Sequence, residues 1–241
     1  MRVMAKQKTD ASSYDATQIQ VLEGLEPVRK RPGMYIGGTG REGLHHLVKE
    51  IADNSIDEAI AGHATHVDVR MLADGGITVS DNGRGIPVDI HPKTGKSTLE
   101  TVLTILHAGG KFGGGGYKVS SGLHGVGISV VNALSNKLVA EVRLNGNIYR
   151  QSFAKGVPTS EIEIVGKSTE TGTTISFWPD DTIFQATDFD YDWVVDYLRH
   201  QAYLTKGIKT YVFDDRPNNS YTFYFEGGIQ SSVRHLNIGK D

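Results

Sequence analysis

The sequence predicts stacked α/β layers on a largely antiparallel sheet, because β-hairpin signals alternate with helical stretches of ten or more residues. Two turns carry the hairpin reading. Alternating Val67, Val69 and Met71 run into Asp74-Gly75-Gly76 and out through Ile77-Thr78-Val79. Leu138–Leu144 and Ile148–Phe153 flank Asn145-Gly146, a pair suited to the positive φ angles of a two-residue turn. A parallel dinucleotide-binding core would instead need strand, helix and parallel strand in regular alternation.

In chain order, residues 1 to about 18 are polar and aperiodic and read as an arm. The basic stretch Arg29-Lys30-Arg31 leads to a glycine-rich loop over Met34–Gly43. Apolar spacing then predicts a helix from about Leu44 to Ala61, stopped by Gly62. A second helix is expected over Thr98–His107 and a third over Val126–Leu134, with the glycine-dense loop Gly109–Gly127 between them. Further strands are expected at Glu161–Val165, Thr173–Trp178, Ile208–Phe213 and Tyr221–Phe225, and a helix at Tyr191–Thr205. No internal repeat is visible.

Composition narrows the function classes. The absence of cysteine excludes disulfides and thiolate metal sites and suits a reducing cytoplasm. No stretch approaches the ~20 apolar residues of a membrane helix, and the first residues lack the apolar core of a secretory signal. A net charge of -3 argues against this piece wrapping DNA by itself. The 29 glycines in 241 residues exceed the ~7% of average usage and gather in a few runs. Those runs are where chemistry is sought.

On the first long helix, Leu44, Leu47, Val48, Ile51, Ser55 and Ala59 share the face that should meet the sheet. His46, Glu50, Asn54 and Asp57 form a second stripe. A solvated polar face has this look too, but the stripe contains no lysine. It combines a base (Glu50), a neutral oxygen ligand (Asn54) and a histidine able to orient the carboxylate. Carboxylate and amide oxygens suit Mg²⁺, which needs only one or two protein oxygens. At the end of a strand, Asp81-Asn82-Gly83-Arg84-Gly85-Ile86-Pro87 is either a turn closing a hairpin strand or a close-approach site where Asp81 accepts an exocyclic amine.

Gly113–Gly116 reads as a surface loop or a hinged lid. Gly122-Leu123-His124-Gly125-Val126-Gly127 feeds an apolar helix directly and favours phosphate binding through its backbone N–H groups. Gly95-Lys96-Ser97-Thr98 is rejected as a P-loop, since Ile90 stands where a further glycine is needed and Pro92 interrupts the preceding strand. His45-His46 lacks the spacing of a zinc helix.

These segments resemble, in order, the motifs of the GHKL ATPases, which include gyrase, Hsp90-type chaperones, MutL-type repair proteins and sensor histidine kinases. Glu50-Ile51-Ala52-Asp53-Asn54 resembles the first motif, Asp81–Gly85 the second, Gly122–Gly127 the third and Thr171-Gly172-Thr173 the fourth. Arg29–Gly37, Leu106–Phe112 and Phe177-Trp178-Pro179 are similar to the B subunits of bacterial type IIA topoisomerases, gyrase first and topoisomerase IV beside it. The resemblance runs from about Tyr14 to Gly228.

It implies a Bergerat fold, a two-layer sandwich with a mixed sheet of about eight strands and helices on one face. It implies an arm over residues 1–18 and an ATP-binding domain over 19–241, with a transducer and DNA-contacting domains beyond. Glu50 would be the general base, oriented by His46, and Asn54 would hold Mg²⁺. Asp81 would take the adenine amine with Thr173 nearby. Arg84 would pair with Glu58 and lie beside the base, with Asp57, Gly85, Ile86 and Pro87 lining the pocket. Lys111 and Tyr117 would close over ATP, and Gly122, Leu123, His124, Gly125, Val126 and Gly127 would wrap its phosphates. Tyr14 lies in the arm that would reach a second copy when ATP binds, giving a homodimer. The gyrase A subunit and DNA would be partners through other domains, and small-molecule inhibitors would enter the ATP pocket. One departure stands out: many relatives carry arginine where Leu144 aligns, whereas here the arginine is Arg143.

Overall fold

The computed structural model describes residues 22–108 and 127–237. Two short helices, α1 (Glu26–Lys30) and α2 (Gly33–Ile36), precede the long α3 (Arg41–Ile60). The hairpin β1 (His66–Met71) and β2 (Ile77–Asp81) follows, then α4 (Thr98–Thr104) and α5 (Gly127–Ala133). The chain continues through β3 (Ser135–Leu144), β4 (Asn147–Ala154), β5 (Val157–Pro158), β6 (Glu163–Lys167) and β7 (Gly172–Pro179). It closes with α6 (Tyr191–Leu204), β8 (Lys209–Asp214), β9 (Asn219–Tyr224) and α7 (Ile229–Leu236).

The nine strands form one sheet in the order β5-β4-β3-β7-β2-β1-β8-β9, with β6 also on β4. All pairs are antiparallel except β1 with β8. The sheet is therefore mixed, as the resemblance implies, with nine strands among the described residues. The parallel pair forms because α6 lies between β7 and β8 and returns the chain in the direction of β1.

Strand alternation explains the two layers. Val67, Val69, Ile77, Val79, Leu138, Ala140, Val142, Ile175, Phe177 and Val212 point to one face and join the aliphatic residues of α3, α5 and α6 in one buried core. The opposite face carries polar groups, including a hydroxyl row in which Thr78 meets Ser176 and Ser80 meets Thr174, each at 2.8 Å. Truncating a fully buried leucine such as Leu47 to alanine would cost about 2–5 kcal/mol.

Local signals act largely as read. Gly62 takes φ 81° after Ala61, and Asn145 and Gly146 take φ 52° and 81° between β3 and β4. Helix α3 begins at Arg41, ahead of the expected Leu44, and α2 occupies part of the expected loop. A glycine at position 43 allows this early start, since an added Cβ would overlap the Gly38 carbonyl oxygen. The rejected P-loop is a turn in which Ser97 caps α4, accepting from the Glu100 N–H at 3.0 Å.

Arg29 ties distant segments together. It donates to the Ala133 carbonyl at the end of α5 at 2.6 Å and to Asp180 Oδ2 at 2.7 Å. The stretches around Arg29 and Phe177-Trp178-Pro179 thus meet at a structural clasp. Among the described residues, no helix is long and apolar enough to cross a membrane.

Candidate active site

Helix α3 turns two kinds of side chain in two directions. Leu44, Leu47, Val48, Ile51 and Ser55 are buried toward the sheet, with Ala59 partly buried. His46, Glu50 and Asn54 are half-buried on the neighbouring face, and Asp57 is fully buried. His46 Nε2 lies 2.9 Å from Glu50 Oε1, one helical turn away. Gly127, the first residue of α5, rests against the other oxygen of the same carboxylate. A Cβ there would overlap Glu50 Oε2. Glycine at this position lets α5 begin directly beside Glu50, while His46 fixes the carboxylate from the opposite side.

Asp81 ends β2 and is buried between α3 and β7. Its Oδ2 accepts from the Ser55 hydroxyl at 2.8 Å. Oδ1 accepts from the N–H of Gly83 at 2.9 Å and of Thr173 at 3.2 Å. Burial pushes this carboxyl above the usual carboxylate range, and the bonds from Gly83, Ser55 and Thr173 act against that shift. Three donors from three segments therefore fix the orientation of one buried acceptor. Thr173 reaches Asp81 through its backbone, which leaves the hydroxyl for another partner.

Beyond Asp81 the chain turns sharply, with Gly85 at φ 81°. Gly83 is wedged against both carboxylates: an added Cβ would lie 2.8 Å from Glu58 Oε2 and 3.0 Å from Asp81 Oδ1. Glu58 receives Arg84 in bidentate fashion, Nη2 to Oε1 at 2.7 Å and Nε to Oε2 at 3.1 Å, with the Arg84 N–H adding a third bond at 3.0 Å. Ile86 packs on the core edge, and Pro87 is exposed. Asn82, which sequence reasoning passed over, pins the same turn by accepting from the N–H groups of Thr65 and His66.

The structure thus brings together His46, Glu50, Asn54, Asp57 and Glu58 on α3 with Asp81, Arg84, Gly85, Thr173 and Gly127. Tyr14, Lys111, Tyr117, Gly122, Leu123, His124, Gly125 and Val126 lie outside the described residues. Leu144 packs against the core, while Arg143 points to the open face of the sheet, as neighbouring strand positions require. Ser55 and Arg143, beside Asn82, are contacts missed in the sequence. A lone serine in an aliphatic stripe was the available signal for the first; for the second there was none, because it spans three strands.

His45 is engaged elsewhere. It stacks on Trp193 at 4.4 Å, Trp193 stacks on Tyr197 at 5.4 Å, and Tyr197 donates to Asp53. The Asp190 N–H donates to His45 Nε2 at 3.1 Å, which requires a neutral ring, and burial lowers its pKa accordingly. This column clamps α3 to α6. Among the described residues, no group of three or more His, Cys, Asp or Glu could hold a metal. A divalent cation here would need most of its ligands from substrate phosphates and water, with Asn54 supplying a protein oxygen.

A buried carboxylate held by three donors, a histidine-supported carboxylate and glycines at the close approaches are thus grouped around α3. Residues 39–183 match the family described as histidine kinase-, DNA gyrase B-, and HSP90-like ATPases. The chain is 57% identical over 225 residues to the DNA gyrase B protein of Campylobacter jejuni, covering 93% of this chain and 29% of that protein. It is 58% identical over 231 residues to the DNA gyrase B protein of Streptococcus pyogenes, covering 95% and 36%. The chain thus spans about a third of the length of these curated relatives. The crystal structure of the 43K ATPase domain of Thermus thermophilus gyrase B, in complex with an aminocoumarin, matches with a TM-score of 0.82 and 44% identity, covering 90% of this chain and 56% of that one. By motif, fold and sequence match together, the chain belongs to the histidine kinase-, DNA gyrase B- and HSP90-like ATPase family.

Proposed function

We propose that this chain binds ATP and hydrolyses it as the ATPase domain of a cytoplasmic DNA gyrase B protein. The observation that carries the reading is Asp81, a buried acceptor fixed by Ser55, Gly83 and Thr173. It suits the exocyclic amine of adenine, and guanine presents an acceptor at that position. The Arg84–Glu58 pair would form a flat wall beside the base. Glu50 would take a proton from water as the water oxygen attacks the γ-phosphorus and the bond to the bridging oxygen of ADP breaks. His46 would hold Glu50 in line for that transfer.

Asn54 is the residue that would hold Mg²⁺, whose positive charge would offset that of the phosphates. The segment from Gly122 to Gly127 would wrap those phosphates, and Lys111 and Tyr117 would cover them. Residues 1–18 would act as the arm that reaches a second copy, ahead of an ATP-binding domain over 19–241. The gyrase A subunit and DNA would be met through further parts of the protein. Small-molecule inhibitors, of the aminocoumarin kind among them, would enter the same ATP site.

Calorimetric titration tests the site. Losing a hydrogen bond to a charged buried acceptor costs about 1.5–3 kcal/mol. Asp81→Asn should therefore weaken ATP about 10- to 150-fold, and wild type should bind ATP well ahead of GTP. Equal affinity for ATP and GTP overturns the assignment. With the full-length protein and its A partner, negative supercoiling supports gyrase; ATP-driven relaxation without supercoiling assigns the chain to topoisomerase IV.

A further inference from the structure

Arg143 stands next to last in β3, on the open face of the sheet, and its guanidinium reaches back beneath the turn that carries Asp81. Nη2 donates to the backbone carbonyl of Asp81 at 2.6 Å, and Nη1 donates to Thr174 Oγ1 at 2.9 Å. Thr174 Oγ1 is itself 2.8 Å from Ser80 Oγ. One side chain thus connects β3, β7 and the end of β2.

The location explains why a side chain is needed. The ladder between β2 and β7 ends at Ser80 and Thr174, one residue short of Asp81. The Asp81 carbonyl therefore lies past the last rung, and Arg143 supplies the donor that a further rung would have given. Gly172, the register partner of Arg143, leaves room for this. A Cβ on Gly172 would overlap both the Asp81 carbonyl oxygen and Nη2 of Arg143. The Gly172 backbone runs at φ 142°, which favours glycine independently.

From this arrangement we infer that Arg143 is a positioning residue for Asp81 and sets how strongly the site discriminates a purine with a 6-amino group. The inference rests on the proposed adenine role of Asp81. Ser55, Gly83 and Thr173 hold the Asp81 carboxylate, while Arg143 holds the peptide from which that carboxylate hangs. A preorganised acceptor binds its donor more tightly than one that must be ordered on binding. Arginine suits the task because its planar fork spans two acceptors at once and stays charged.

The test compares ATP with purine riboside triphosphate, which carries hydrogen in place of the amine. Both are titrated into wild type, Arg143→Met and Arg143→Lys, with a melting curve for each protein. Wild type should favour ATP by about 10-fold or more. Arg143→Met should shrink that preference to less than about threefold while the affinity for the analogue stays within about threefold of wild type. Arg143→Lys, which keeps a charged donor without the fork, should fall between. If Arg143→Met fails to fold, Arg143→Gln gives the same ratio with one donor retained, and its preference should also shrink. A variant in which both nucleotides weaken together at an unchanged ratio overturns the inference and makes Arg143 a stability residue. Lack of preference in wild type instead overturns the adenine role of Asp81, and the inference with it.

Discussion

The Ser55 hydroxyl donates to Asp81 Oδ2 at 2.8 Å, linking the sheet-facing stripe of α3 to the acceptor at the end of β2. The same helix carries Glu50 and Asn54 on its other face. Asp81 and Glu50, the proposed adenine acceptor and the proposed base, are thereby held to one rigid element, α3. The distance between the two carboxylates is set by helix geometry rather than by loops.

Replacing Ser55 by alanine removes one of the bonds that oppose the upward shift of Asp81. Burial raises this carboxyl, and Gly83, Ser55 and Thr173 lower it. With Ser55 gone the raised pKa rises further, so the carboxylate becomes protonated at a higher pH. A protonated carboxyl is a weaker acceptor for the adenine amine. ATP affinity measured against pH should therefore decline sooner in Ser55→Ala than in wild type as pH falls. Coincident profiles would show that Ser55 does not act on Asp81.

Asp180 gives a separate test of the fold. Burial alone would raise this carboxyl, yet hydrogen bonds from Thr182 and Arg29 and the charge of Arg29 bring it down from 3.8 to about 2. A depressed folded pKa contributes stability that is present above the unfolded value and is lost as pH falls through the folded one. The shift corresponds to about 2 kcal/mol near neutral pH. Asp180→Asn should be less stable than wild type by about that amount, with the gap narrowing as pH falls from 3.8 toward 2. Denaturant unfolding at several pH values measures it. A gap independent of pH would place the contribution of Asp180 elsewhere.

The sequence disclosed what depends on local pattern. Asn145-Gly146 dictates its turn through positive φ, Gly62 ends α3, and the apolar spacing of Leu44 to Ser55 fixes the buried face. It also disclosed Glu50 with His46, because i and i+4 positions meet on a helix wherever the helix lies. What local pattern did not show depends on distance in the chain. The parallel pairing of β1 with β8 joins segments more than a hundred residues apart, and no turn chemistry encodes it. Arg143 beneath Asp81 and Arg29 against Asp180 likewise exist only once strands are ordered. The helices α1 and α2 were missed for another reason: at five and four residues they are too short to show a period.

Turnover by the full-length protein carrying Glu50→Gln, measured beside nucleotide binding, tests the central claim most directly. A carboxylate that takes a proton from water acts on the chemical step and contributes little to ground-state affinity. The account predicts that ATP binds within about threefold of wild type while hydrolysis falls by at least about 100-fold. A variant retaining more than about a tenth of the wild-type rate would contradict it, since Glu50 would then not be the base.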